Sequence, residues 1–265
     1  MTPRQAVSTL AATERLLVAL DFDGTLSPLV DAPMDARMLP AARAALEALT
    51  VTPATTVALV SGRSPADLRV TAEHRDDSPI LLAGSHGAEH WVPGGESGGE
   101  PGGEPGDGPS VAERAERDRL RAAAEDLIAG IPGAWIEPKE FGFAVHSRTV
   151  AAADRAAVND RVDALMVDEA PTWRRRTGHR IVEYAFRDVG KDAAVAWLRA
   201  RTGATAVLFA GDDVTDEDAL ASLDAGDVGV RVGAGDTAAS VRVDGIPELA
   251  ALLVLLAHER SALQE

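Results

Sequence analysis

The sequence contains no cysteine. This excludes a disulfide framework, a thiolate metal site and a cysteine nucleophile. No apolar run approaches the ~18 residues a membrane helix needs, and the opening MTPRQAVSTLAATERLL lacks the apolar stretch of a signal peptide. Positive charge is scarce: 26 Lys and Arg stand against 42 Asp and Glu, for a net charge of −16. That balance disfavours nucleic acid and anionic membrane as partners, since both need a cationic surface. The expectation is a soluble, cytoplasmic protein. A small anionic substrate stays compatible, provided a local cluster of Lys, Arg or metal overcomes the long-range field. What is present is a 265-residue chain that is 46% apolar, enough for a sizeable core in one large domain or two modest ones.

Short apolar runs alternate with helical patterns. Residues 15–21 read as a buried strand, 40–50 as a helix, 56–61 as a strand followed by a helix from Pro65, and 79–84 as a third strand. This rhythm implies βαβ units and a parallel sheet. Residues 93–110, PGGESGGEPGGEPGDGPS, hold no core former and read as a mobile loop. Beyond it the rhythm changes to a helix over 111–131, strands at 134–137 and 141–147, a helix over 151–168 and strands at 172–176 and 180–185. From about 190 the first rhythm returns, ending in a helix over 246–258. The fold class expected is α/β: a Rossmann-like parallel-sheet core, residues 1–92 and 186–265, interrupted by the loop and by a smaller α+β domain at 111–185.

The first strand ends in LLVALDFDGTLSP (16–28), with two acids two apart. Asp-Gly is a common turn, and an Asp at a strand end often caps a loop. An EF-hand loop counted from Asp21 fails, because its sixth and twelfth positions hold Leu26 and Ala32 instead of Gly and Glu. Phosphoryl transfer is the third reading. Side chains i and i+2 share a side of a strand, so Asp21 and Asp23 would face a pocket at the carboxyl end of a parallel strand. One carboxylate could attack phosphorus while the other trades a proton with the leaving oxygen. LFAGDDVTDED (208–218) is a second apolar strand ending in acids. Thr215 as N-cap with Asp218 three residues on gives a capping-box-like pattern, but that leaves Asp212 and Asp213 unexplained. Such hard oxygen ligands, with Asp216 just beyond, suit Mg²⁺. In LVSGRSP (59–65), Ser61 and Arg63 follow a strand. Ser-Gly there is either a turn or, with nearby backbone N–H groups, a holder of phosphate oxygen. Lys191 opens a helix, an electrostatically poor place for a cation. It reads either as a solvated surface lysine or as a counter-charge to phosphate and nearby acids.

In this order, D-x-D-G-T, Ser, Lys and G-D-D-x-x-D, the chain resembles the haloacid-dehalogenase superfamily of phosphatases, with essentially all four family motifs spanning residues 21–216. The resemblance implies Asp21 as the nucleophile that becomes an aspartyl phosphate and Asp23 as general acid/base. Ser61 and Lys191 would bind phosphate. Mg²⁺ would sit on Asp21, the backbone carbonyl of Asp23 and Asp212, with Asp213 or Asp216 in support. The insert lies where one cap type of the superfamily, the C2 type, is found.

VSGR (60–63), GSHGAE (84–89), EPKEFGFAVHSR (137–148) and GHRIVEYAF (178–186) together look like the trehalose-6-phosphate phosphatase family. That resemblance implies sugar contacts from Glu137, Lys139, Arg148 and Glu183, brought onto the sugar by cap closure. Arg63 and His86 join them as candidate substrate-binding residues, although His86 is equally a structural His near the hinge. Trp135 and Trp173 are expected to pack the cap. Asp192 departs from the Gly common after the family lysine, with little effect expected, because Asp suits a first helical turn. The implied activity is Mg²⁺-dependent hydrolysis of trehalose 6-phosphate, with functional coupling to a trehalose-6-phosphate synthase. The rivals are a phosphatase for sucrose 6-phosphate or a glycosyl-phosphoglycerate, a catalytically silent regulatory module of trehalose synthesis, and a phosphomutase.

Overall fold

A computed structural model describes residues 1–94, 108–178 and 180–263. Most of the loop expected at 93–110 therefore lies outside the described residues. The chain divides into two compact units, Met1–Gly102 with Val189–Glu265, and Gly103–Asp188.

The first unit opens with helix α1 (Pro3–Ala11), where Thr2 and Gln5 close a capping box around Pro3 at the first helical position. Then come β1 (Leu16–Leu20), α2 (Pro40–Thr50), β2 (Thr55–Val60), α3 (Pro65–Thr71), β3 (Leu81–Gly84) and β4 (Glu89–Trp91). The second unit holds α4 (Val111–Ile128), β5 (Trp135–Lys139), β6 (Gly142–His146), α5 (Arg155–Glu169), β7 (Arg174–Gly178) and β8 (Ile181–Ala185). The chain returns to the first unit with α6 (Lys191–Thr202), β9 (Ala206–Gly211), α7 (Glu217–Ala221), β10 (Val228–Val232), β11 (Val241–Val243) and α8 (Ile246–Leu263).

The first unit's sheet has the order β11-β10-β9-β1-β2-β3-β4, parallel except for the β3/β4 pair. Strand β1 is buried along its whole length. Its alternation feeds two cores: Leu16, Val18 and Leu20 join Leu10, Leu46, Leu49, Leu253 and Leu256 of α1, α2 and α8. Leu17 and Ala19 join Val195 and Leu198 of α6 and Leu220 of α7. A parallel sheet covered on both faces needs such unbroken apolar strands. Leu20 lies level with Leu59 of β2 and Ala210 of β9, so these three strands end together at one edge.

The second unit is a four-stranded antiparallel sheet, β5-β6-β8-β7, built from two hairpins. Phe143, Val145, Val182 and Tyr184 face Leu120 and Ala124 of α4 and Val158, Val162 and Met166 of α5. Pro138 sits in β5, an edge strand, where its missing N–H does no harm.

Two expectations need correction. The helix expected to start from an N-cap at Thr215 begins earlier, as a 3₁₀ turn over Val214–Asp216 leading into α7. Its cap is Asp213, whose side chain accepts from Val214 N–H, while Asp216 Oδ2 accepts from Asp213 N–H at 2.9 Å. Asp213 takes the Val214 N–H and Asp216 folds back onto the Asp213 N–H, so Thr215 falls inside the turn. Trp173 packs with the second unit's core, but Trp135 is 44% exposed. Trp135 shares the side of Glu137 and Lys139 along β5, whereas the intervening Ile136 packs on the core.

Candidate active site

The edge where β1 and β9 end is acidic. Asp21 follows β1 directly, and its N–H continues the ladder to Ala210 C=O at 2.9 Å. Asp212 follows β9, and Asp216 comes back from the 3₁₀ turn. Carboxylate oxygens of Asp21, Asp212 and Asp216 all lie within 4.8 Å of one another. Two glycines leave room for this crowding. A Cβ on Gly24, whose φ is +84°, would lie 2.0 Å from Asp212 Oδ2, and one on Gly211 would lie 2.2 Å from Asp216 Cγ. Thr25 Oγ1 donates to Asp212 Oδ1 at 3.1 Å.

Lys191, the first residue of α6, is 3% exposed. Its Nζ donates to Asp21 Oδ1 and to Asp216 Oδ1, both at 2.6 Å. This resolves the poor electrostatics of a cation at a helix start: two carboxylates outweigh the positive helix end. Burial opposes the ammonium, but Asp21 and Asp216 prevail and hold its pKa above the usual lysine value. Burial, reinforced by Asp216 and Asp212, pushes Asp21 well above the carboxylate range against the pull of Lys191. Burial and then Asp216 push Asp212 up to about 7. Three carboxylates around one ammonium leave excess negative charge, which adds to burial in raising Asp21 and Asp212. Oxygen donors at this spacing, short of positive charge, fit a hard divalent cation.

Asp23 lies outside this cluster with a cation of its own. Arg63 Nε and Nη2 donate to its two oxygens, each at 2.6 Å. Ser61 is buried just past β2, and its Oγ accepts from Arg63 N–H at 3.2 Å. The chain at 84–87 braces this loop. Ser85 N–H donates to Arg63 C=O at 2.7 Å, and His86 N–H to Ser61 C=O at 3.0 Å. The His86 ring abuts Gly62, where a Cβ would lie 2.7 Å from Nε2, so a side chain there would displace the imidazole. Asp213 does not join the acidic cluster. Its carboxylate caps the 3₁₀ turn, and its carbonyl accepts from Arg231 Nη1 at 2.9 Å.

In the second unit, Glu137, Lys139 and Glu183 lie on one face of the sheet. Lys139 Nζ is 2.8 Å from Glu137 Oε1 and 3.9 Å from Glu183 Oε1. His146 Nε2 contacts Glu137 Oε2 at 2.7 Å. Burial raises the Glu137 pKa, but His146 and Lys139 overcome it and leave the carboxyl below its ordinary value. Arg148 is half-buried on the turn after β6. Thr25, Gly24, Gly211 and His146 were not foreseen. Thr25 carried a signal in the D-x-D-G-T string, and His146 lies directly across from Trp135 in a hairpin whose strands were expected.

This parallel sheet, with acidic tips and a buried lysine at one edge, has the fold of a solved sugar phosphatase of the HAD superfamily, with a TM-score of 0.57 at 15% identity, covering 89% of this chain and 96% of that one. The chain belongs to the trehalose-phosphatase family, whose family model matches residues 19–245. It is 37% identical over 225 residues, 80% of this chain, to a trehalose-phosphate phosphatase of Mycolicibacterium paratuberculosis. The chain spans 52% of that relative, and 16% of two other curated relatives. Among solved structures, the C-terminal domain of a Candida albicans trehalose-6-phosphate phosphatase superposes with a TM-score of 0.80 at 20% identity, covering 97% of this chain and 96% of that one. The C-terminal domain of a Candida albicans trehalose synthase regulatory protein gives a TM-score of 0.70 at 15% identity, covering 96% of this chain.

Proposed function

We propose that this protein is a Mg²⁺-dependent phosphatase that hydrolyses trehalose 6-phosphate to trehalose and phosphate. The observation that carries the reading is the buried contact of Lys191 with both Asp21 and Asp216 beside Asp212. A charged set of this kind costs folding energy and has no structural need at a sheet edge. Membership of the trehalose-phosphatase family supports the substrate. So does the Glu137–Lys139–Glu183 cluster, in which carboxylates accept from pairs of sugar hydroxyls while the ammonium donates.

In this reading Asp21 attacks phosphorus in line. The bond from phosphorus to the sugar oxygen breaks as the aspartyl phosphate forms, and Asp23 protonates the departing oxygen. Arg63 fixes the orientation of Asp23, which gives up one of its two guanidinium contacts to deliver the proton. A water then attacks the aspartyl phosphate. Asp23 takes the water's proton, phosphate leaves, and Asp21 is regenerated. Ser61 holds a phosphate oxygen, and Lys191 offsets charge on Asp21 and the phosphoryl group. The carboxylates of Asp21, Asp212 and Asp216 and the carbonyl of Asp23 would hold Mg²⁺. The ion supplies further charge neutralisation at the phosphoryl group. Asp213 acts as a turn cap. Coupling to a synthase that supplies trehalose 6-phosphate belongs to the same reading.

The second reading is a silent regulatory module, which draws on the fold shared with the regulatory protein domain. Phosphate release across trehalose 6-phosphate, sucrose 6-phosphate, glucosyl-phosphoglycerate and glucose 6-phosphate, with Mg²⁺ or with EDTA, separates the two. Fastest turnover of trehalose 6-phosphate, lost in EDTA, is expected. Faster turnover of another sugar phosphate overturns the substrate. Isomerised sugar phosphate without free phosphate indicates a mutase, and no product at all indicates the regulatory module.

A further inference from the structure

Trp135 is the exposed member of the chain's four tryptophans. Trp91 is buried, and Trp173 and Trp197 pack against the two cores. An indole carries a large apolar surface, and with the residue 44% exposed part of that surface is open to a ligand. Its setting is ordered. The ring lies flat on His146, directly across the hairpin, with centroids 3.9 Å apart and planes 7° apart. His146 is anchored in turn at 2.7 Å to Glu137, an acceptor held in its ionised form. With one indole face covered by the imidazole, the exposed surface is the opposite face and the ring edge. Trp135, Glu137 and Lys139 are alternate residues of β5 and share a side of the sheet, and Glu183 reaches to Lys139 from β8. Gly142 and Ala144 of β6 lie opposite Lys139 and Glu137, so the floor between the charged groups is low.

A flat apolar plate beside carboxylates and an ammonium matches a ligand with one apolar face and a rim of hydroxyls. A pyranose ring has that form: its C–H faces stack on indole while its hydroxyls reach the charged groups. An ion pair serving only the fold needs no exposed aromatic beside it. We infer that Trp135, seated on His146 and aligned with Glu137, is a stacking platform for a sugar ring of the substrate, and so a specificity-determining residue. The inference rests on the sugar-phosphatase reading above and adds an apolar element to it.

The test compares wild type, Trp135→Phe and Trp135→Ala on trehalose 6-phosphate and on acetyl phosphate, which has no sugar. Trp135→Ala lowers kcat/KM for the sugar phosphate on the order of ten-fold, Trp135→Phe recovers most of the loss, and acetyl phosphate turnover stays level. Binding of the sugar phosphate to Asp21→Asn, which holds substrate without turning it over, shifts the tryptophan emission. The shift disappears in Asp21→Asn with Trp135→Phe. If Trp135→Ala fails to fold, the phenylalanine variant and the emission shift still decide. Equal losses on both substrates, no loss on the sugar phosphate, or an emission shift that survives Trp135→Phe overturns the platform. Failure of the substrate assignment appears separately, in the wild-type panel. There the variants are measured on whichever sugar phosphate is turned over fastest, and no sugar phosphate turnover overturns both readings.

Discussion

Replacing Lys191 by Met keeps an unbranched stem of similar reach and removes the ammonium that touches Asp21 and Asp216 at 2.6 Å. At an effective dielectric of about 20, each contact is a gross attraction of roughly 6 kcal/mol, before the cost of desolvating the lysine. Removing one partner from a buried charged set costs about 3–5 kcal/mol net, because the remaining charges stay buried without compensation. For a chain of this size that is a fall in melting temperature on the order of 10 °C. The loss depends on pH, and its sign follows from the acids. Asp21 and Asp212 have pKa values raised above the unfolded value of 3.8, Asp212 to about 7. Their contribution favours folding fully below the unfolded value and is lost as pH rises through the folded one. Without Lys191 the ionised acids repel each other more strongly, so the deficit is greatest at pH 8 and shrinks towards pH 5.5 as they take up protons. Thermal unfolding of wild type and Lys191→Met in EDTA at both pH values measures this. A deficit equal at the two pH values, or below about 1 kcal/mol at pH 8, would refute the claim that Lys191 is the counter-charge of a buried acidic cluster.

The same acids set the metal response. Mg²⁺ raises the wild-type melting temperature, and the increment falls from pH 8 to pH 5.5 because protons on Asp212 and Asp21 compete with the ion; calorimetric proton release on Mg²⁺ binding checks the sign. Asp21→Asn abolishes phosphate release while circular dichroism stays that of the folded protein. Glu183→Ala lowers kcat/KM for trehalose 6-phosphate at least ~10-fold and leaves acetyl phosphate turnover nearly unchanged, since a lost sugar contact acts only where there is a sugar; equal losses would mean Glu183 does not read the sugar. Gly24→Ala combines strain at φ +84° with a methyl 2.0 Å from Asp212 Oδ2. It weakens the Mg²⁺ stabilisation, whereas Gly226→Ala, at φ +102° with open space around it, carries only the ~1 kcal/mol backbone strain.

Much of this fold was legible because a doubly covered parallel sheet writes itself as apolar runs. Leu16–Leu20, Thr55–Val60 and Ala206–Gly211 each stand out, and the acids that follow the first and the last mark the edge where they stop. The three-residue strands β4 and β11 carry too little pattern to register. The choice between Asp213 and Asp216 at the acidic cluster was not legible either. Neighbouring side chains after a strand point apart, and only the 3₁₀ turn returns Asp216 towards Lys191 while spending Asp213 on its cap. Trp135 was misjudged because an aromatic on a short strand reads as core whichever face it occupies. Its register opposite His146, on the side of the sheet away from Phe143 and Val145, decides the matter.

Two aspartates two residues apart pose a like-charge problem, and the structure resolves it by giving each its own cation. Asp21 is buried and takes the compact ammonium of Lys191, which Asp216 shares. Asp23 has a side chain 30% exposed and takes the flat guanidinium of Arg63 through both oxygens. In the proposed mechanism, a point charge on one Asp21 oxygen leaves the other available to attack. In the same reading, a fork on both Asp23 oxygens orients that carboxyl, at a partly exposed position that protons and water can reach, for its acid/base role. Lys191 and Arg63 are therefore not interchangeable here. Arg63→Lys would keep the charge and lose the fork, so it should lower kcat more than it raises KM for trehalose 6-phosphate. An unchanged kcat with only a raised KM would instead assign Arg63 to substrate binding and leave the orientation of Asp23 to its own turn.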